Sequence, residues 1–205
     1  MGKFKAIIFD GGGVIFTYSF DRVFNHWARM SGNDTHKIKS RWGFDEIFQK
    51  FERGEINPTK FRQHVMHKLN LKISDEQFDE GWNSIYLEIV PGIEQLLQEL
   101  GRKYRLVILT NSNAIHARKW KIMYAPLLSY FRKVFSSHEI HTRKPEPKAY
   151  STVLNYLQLN PEDVIFLDDN PEYVQAASKM NITSIHVTSF TQMVKELNKL
   201  GVYTN

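Results

Sequence analysis

Asp10, Thr110, Asn111, Lys144, Asp168 and Asp169 are the residues of this chain whose types and settings could do chemistry together. Five of the six stand directly after short apolar runs of strand type, at residues 5–9, 105–109 and 164–167. In open α/β sheets, ligands bind outside the carboxyl ends of the strands, near the point where strand order reverses, so polar residues at three such ends read as one crevice. Three carboxylates gathered there would repel one another and raise their pKa values unless positive charge lay among them. A hard divalent cation meets that need, and magnesium suits it best, since it takes one or two protein carboxylates, waters and phosphate oxygens in an octahedral shell. Lys144, in the loop Arg143-Lys144-Pro145-Glu146-Pro147, is a further positive charge that could pair with Asp10 and a phosphate oxygen together. Each residue alone also has an ordinary reading: Asp10 as a turn or N-cap residue, Thr110 as a strand residue with a buried hydroxyl, Lys144 as a solvated lysine before a helix.

The elements that must position these residues follow from the spacing of apolar positions. The run at 5–9 reads as a buried strand entering the tight loop Gly11-Gly12-Gly13. From residue 21 to 89 the spacing turns helical, with Phe44, Ile47, Phe48 and Phe51 on one face and Phe78, Trp82, Ile85, Tyr86 and Ile89 on another. Asn57-Pro58 and the pair Ser74 and Gln77 mark helix starts. Trp27, Phe44, Phe48, Phe51 and Trp82 sit at core spacing, whereas Trp42 falls off those stripes. Beyond Pro91-Gly92, helices and strands alternate to the end. The expected fold is α/β: a doubly wound parallel sheet from residues 1–17 and 90–205, interrupted by an all-helical insertion at 18–89.

Composition narrows the function. The chain has 205 residues, with 27 basic against 22 acidic, and the formal charge of +5 is not gathered into any run of five like charges. Neither nucleic acid nor a membrane is therefore an expected partner. The Arg118, Lys119 and Lys121 stretch around Trp120 reads as a solvated helix face. With no cysteine, disulfides and thiol chemistry are excluded. A strand-like run beginning at Phe4 leaves no room for a secretory signal, so a cytoplasmic location is expected.

The strings IIFDGGGVIF, VILTNSN, RKPEPKAY and FLDDNPEYVQAA resemble, in order and spacing, the four motifs of the haloacid dehalogenase-like hydrolases. The helical insertion falls where that superfamily places its type 1 cap. The string Phe51-Glu52-Arg53-Gly54-Glu55-Ile56, Gly81-Trp82, and Asn111-Ser112-Asn113 with His116 are similar to a bacterial branch that includes an α-glucose-1-phosphate phosphatase. The resemblance implies that Asp10 is the nucleophile and a magnesium ligand, with Asp169 a direct ligand, Asp168 acting through water and Gly12 offering its carbonyl. It also implies that Thr110 and Asn111 bond the transferring phosphoryl group while Lys144 neutralises its charge. Gly12, Gly13, Asn113 and His116 are expected on the core side of a substrate site, and Arg53 with Glu55 on the cap side. Arg53-Gly54-Glu55 also reads as an exposed turn with glycine at a helix end.

One position departs from the family. Most of its phosphatases carry a second aspartate two residues after the nucleophile as general acid and base, and here that residue is Gly12. Such assistance is worth ~10²–10⁴-fold, so restoring it with Gly12→Asp is expected to speed hydrolysis of esters with poor leaving groups. A leaving group that departs readily, such as the anomeric oxygen of a sugar 1-phosphate, tolerates the loss best. The expected function is thus a magnesium-dependent phosphatase acting as a monomer on a small phosphate ester, a sugar phosphate such as glucose 1-phosphate. The second reading is a catalytically weak protein binding a phosphometabolite or a partner; the third is a 2-haloacid dehalogenase, whose halide leaves without a proton.

Overall fold

The computed structural model describes residues 3–203. The first strand, β1 (Ala6–Phe9), is followed by β2 (Phe16–Tyr18), then by helices α1 (Phe20–Ser31), α2 (Thr35–Arg41), α3 (Glu46–Glu52), α4 (Pro58–Leu69) and α5 (Asp75–Asn83), and by β3 (Tyr86–Ile89). The chain then alternates through α6 (Ile93–Gly101), β4 (Arg105–Thr110), α7 (Ala114–Met123), α8 (Ala125–Leu128), β5 (Lys133–Ser136), α9 (Ser137–Ile140) and α10 (Pro147–Leu157). It closes with β6 (Val164–Asp168), α11 (Pro171–Lys179), β7 (Thr183–His186) and α12 (Phe190–Lys199).

Five strands form a parallel sheet in the order β5-β4-β1-β6-β7. β1 lies between β4 and β6 with every residue buried, which is why it reads as an unbroken apolar run. Its side chains alternate between two cores: Ile7 and Phe9 pack with α6, α7 and α12, while Ala6 and Ile8 pack with α10 and α11. Because the chain moves from β1 to β4 and β5 on one side and returns to β6 and β7 on the other, strand order reverses about β1. Asp10, Thr110 and Asp168 all lie at the carboxyl ends of strands that meet there.

The helices α1 to α5 share a separate apolar cluster built on stacked aromatics. Trp27 stacks on Phe78 at 4.8 Å and on Trp82 at 5.7 Å, and its Nε1 donates to the Phe78 carbonyl at 3.1 Å. A Cβ at Gly81 would collide with the Trp27 ring, so glycine there is required by that approach. The helix starts are capped as expected, by Asn57 ahead of Pro58 and by a capping box of Ser74 and Gln77.

Two expectations are corrected. Residues 86–89 are not helical: α5 ends at Asn83, and β3 pairs antiparallel with β2, so a two-stranded ribbon joins the helices to the sheet. The apolar spacing that suggested a helix continues the α5 stripe by coincidence of phase. Phe44 is not a core residue; it precedes the Asp45 N-cap of α3 and is 57% exposed. Trp42, which closes α2, packs instead among Phe24, Trp27 and Trp82. No described helix is long and apolar enough to cross a membrane.

Candidate active site

Asp10 is held at the end of β1 by its backbone N–H, which donates to Leu167 O at 2.8 Å. Its Oδ1 accepts from Lys144 Nζ at 2.8 Å, and the same ammonium reaches Asp168 Oδ2 at 2.5 Å. Asp168 and Lys144 are wholly buried, and the second oxygen of Asp168 takes the Asn170 N–H at 2.8 Å. Asp169 completes the group: one carboxylate oxygen from each of Asp10, Asp168 and Asp169 lies within 4.8 Å of the others. Burial first, and then the charge of Asp10, pushes the Asp169 carboxyl up to about 6; Asp168 is driven upward mainly by burial, against the pull of Lys144. Burial works against the Lys144 charge, but Asp10 and Asp168 outweigh it and keep the ammonium protonated.

Three acids with one lysine form a set two positive charges short of balance, and its all-oxygen donors fit a hard divalent cation. The loop is shaped for this. Gly13 has φ +76°, and a Cβ there would run into the Asp169 carboxylate, so only glycine lets Asp169 stand against the loop that follows Asp10.

A cavity of about 530 Å³ opens over these groups, lined by Asp10, Gly12, Thr110, Lys144 and Asp169 on the sheet side and by Phe20, Phe44, Phe48, Gln49, Glu52 and Trp82 on the helical side. The Thr110 side chain has no hydrogen-bond partner among the described residues, which leaves its hydroxyl available to a ligand in that cavity. The Asn111 side chain is engaged elsewhere. Its Oδ1 accepts the Lys144 N–H at 2.9 Å, and its Nδ2 donates to Lys144 O at 2.9 Å and to the Tyr173 hydroxyl at 3.2 Å. It fixes the loop that carries the lysine.

Asn113 and His116 also border the cavity, but as a closed structural unit. Asn113 caps α7, its Oδ1 accepting the His116 N–H at 3.0 Å and its Nδ2 meeting His116 Nδ1 at 3.1 Å. His116 Nε2 faces Trp82 O at 3.1 Å, and burial pushes the ring's pKa down to about 3. The ring is therefore neutral, with its proton on Nε2 donated to the carbonyl and Nδ1 accepting from the amide. Arg53 lies outside the cavity lining, engaged by Glu55 at 2.6 Å and Glu146 at 3.0 Å. Its expected place against substrate is corrected by that pairing.

Sequence reasoning missed Tyr18, Glu52 and Arg143. The Tyr18 ring covers Gly12: a Cβ on that glycine would stand 3.0 and 3.2 Å from two ring carbons. An aspartate at position 12 fits only if the half-exposed Tyr18 ring gives way by a few tenths of an ångström, so the acid that Gly12→Asp would supply must first displace that ring. The Tyr18 hydroxyl lies 3.4 Å from Asp169 Oδ2, and burial and Asp169 push its pKa up to about 12, so it stays protonated. Glu52 and Arg143, 2.7 Å apart, both line the cavity; their side chains are 8% and 14% exposed. Each stood inside a string that had drawn attention for a neighbouring residue. Tyr18, on a strand of three residues, left no such signal.

Comparison with known proteins agrees with this geometry. A D-ribitol-5-phosphate phosphatase of Bacteroides thetaiotaomicron is 20% identical over 199 residues, spanning 94% of this chain and 96% of that protein. A sesquiterpene phosphatase of Aspergillus oryzae is 28% identical over 198 residues, 96% of each chain. The crystal structure of a HAD family enzyme of Bacteroides thetaiotaomicron, in complex with magnesium and inorganic phosphate, matches with a TM-score of 0.79 at 27% identity, covering 91% of this chain and 96% of that one. The sequence profile of the haloacid dehalogenase-like hydrolases matches residues 19–187, and with the acids of three strand ends gathered around one lysine, the chain belongs to that family.

Proposed function

We propose that this chain is a magnesium-dependent phosphatase of small phosphorylated metabolites, acting through an aspartyl-phosphate on Asp10. The observation that carries the reading is the cluster of Asp10, Asp168 and Asp169 around Lys144 at the base of a cavity. Asp10 Oδ2 is free of the lysine and attacks phosphorus; the P–O bond to the leaving group breaks, and water then releases phosphate from Asp10. Lys144 and the Thr110 hydroxyl stabilise the charge that builds on the phosphoryl oxygens. Asp10, Asp168 and Asp169, with the Gly12 carbonyl, would hold magnesium, which supplies charge neutralisation for the phosphoryl group when bound. A 2-haloacid dehalogenase has no use for this acidic triad.

The organic half of the substrate is a sugar or polyol in this reading. Gln49 offers a hydrogen-bond partner to hydroxyls, and the aromatic wall of Phe20, Phe44 and Trp82 suits the apolar face of a sugar ring. The relative that acts on D-ribitol 5-phosphate supports the same class. With no carboxyl acid at Gly12, an ester whose leaving oxygen departs readily, such as glucose 1-phosphate, is favoured. The test is phosphate release from sugar phosphates, nucleotides and an aryl phosphate, with magnesium or chelator. Activity that needs both magnesium and Asp10 is expected; a folded protein inactive on every ester would replace this reading with ligand binding alone.

A further inference from the structure

The end of α3 and the turn after it meet α9 and the loop that carries Lys144 through three polar contacts and one close backbone approach. Glu52 Oε2 accepts from Arg143 Nε at 2.7 Å. Arg53 Nη1 donates to Glu146 Oε1 at 3.0 Å, and Arg53 O lies 3.1 Å from His141 Nδ1. Gly54, at φ +68°, approaches the His138 carbonyl so closely that a Cβ would collide with it. Glu146 also shapes its own loop, because its second oxygen accepts from Thr142 Oγ1 at 2.8 Å and from the Arg143 N–H at 3.2 Å. One carboxylate thus sets the loop and receives Arg53. Lys144 follows Arg143 directly, its backbone is held on the other side by Asn111, and its ammonium sits on Asp10.

We propose that the 52–54 turn is a latch through which the helical layer places Lys144, with Glu52 and Arg53 acting as positioning residues for that lysine and not as readers of the substrate. The physical ground is the burial of the Glu52–Arg143 pair, since separating such a pair leaves charge uncompensated unless water follows it in. Lifting the helical layer from the sheet would break these contacts at once and leave the loop held only by Asn111, the bonds of Glu146 and the Lys144 ion pairs. Seating it would re-form them and fix the ammonium against Asp10. Closure over a substrate and assembly of the phosphoryl site would then be one event. The catalytic meaning of the latch rests on the phosphatase reading; its mechanical meaning does not.

The test is the set Arg53→Glu, Glu146→Arg and the double exchange, in the full chain. The readouts are kcat and KM on an aryl phosphate with magnesium, amide hydrogen exchange across residues 137–146, and thermal stability. A displacement of ~1 Å at a distance from the chemistry can cost about 100-fold, so Arg53→Glu is expected to lower kcat by about 10- to 100-fold with KM little changed. Exchange in the loop rises in each single variant, and the double exchange, which re-forms the pair across the layers but not the bonds of Glu146 to Thr142 and Arg143, returns kcat and loop protection above the levels of Glu146→Arg alone. The proposal is overturned if KM rises alone without rescue, which makes Arg53 a substrate contact. It is overturned equally if stability falls while kcat per folded molecule and loop exchange stay unchanged. Wild-type protein inactive on every ester, yet showing the rise in exchange and its rescue, would sink the phosphatase reading and leave the latch standing.

Discussion

Asp10 stands under opposing demands, paired to Lys144 at 2.8 Å while its charge raises the pKa of both Asp168 and Asp169. Removing that charge should separate catalysis from stability. Asn at position 10 retains an oxygen for the Lys144 ammonium and relieves the two neighbouring acids, so Asp10→Asn is expected to lower kcat by more than about 10⁴-fold while the melting temperature holds or rises. Phosphate release and a thermal melt on one preparation check this, and surviving turnover would exclude the covalent route. Gly12 yields a second prediction. Since the Tyr18 ring must give way by a few tenths of an ångström before the new side chain fits, Gly12→Asp alone should gain less on poor leaving groups than the same change made beside Tyr18→Ser. Paired with Tyr18→Ser, it should raise the rate on poor leaving groups above that of Tyr18→Ser alone; equal rates in the two backgrounds would show that the new carboxyl does not reach the leaving oxygen.

Among the elements, the close approach of α5 to α1 is the most exposed to a single substitution. Gly81→Ala drives a methyl into the Trp27 ring, so about 1–3 kcal/mol of destabilisation is expected, read from chemical unfolding, with the sheet strands still forming. The central strands β1, β4 and β6 were legible because burial on both faces makes each a continuous apolar run ended by a polar residue. That is also why Asp10, Thr110 and Asp168 could be read together: each is the neighbour in sequence of the strand that positions it. The ribbon of β2 and β3 was not legible, because three residues are too few for a period and Ile85, Tyr86 and Ile89 fall in phase with the stripe of α5. Pairs that cross between layers were hidden for another reason. Glu52 with Arg143 and Tyr18 with Asp169 depend on how the helices seat on the sheet, which no local pattern encodes. Arg53, expected against the substrate, lies outside the cavity lining and is paired with Glu55 and Glu146, a partnership set by the same seating.

At the scale of the whole molecule, the crowded acids tie stability to pH and to cation. A carboxyl raised from its ordinary value near 3.8 to about 6, as Asp169 is, binds its proton more tightly in the fold than in the unfolded chain. The cation-free fold therefore loses stability from this carboxyl as pH rises from the unfolded value to about 6, and Asp168, raised as well by burial, adds to the loss and extends it further up in pH. In the proposed reading magnesium would bind the ionised form, so its stabilisation would grow over the same window. Millimolar magnesium is expected to raise the melting temperature clearly at pH 8 and much less at pH 5. The gain should shrink in Asp169→Asn at pH 8; an equal gain at both pH values would mean that the cation binds elsewhere.

The cover that Tyr18 places over Gly12 also bears on how this chain could change over generations. An aspartate gained at position 12 would arrive against the ring, so its use depends on how far Tyr18 turns aside. In the proposed reading the order of change therefore matters: a smaller residue at position 18 that comes first leaves space for the acid, whereas an acid that comes first must displace the ring.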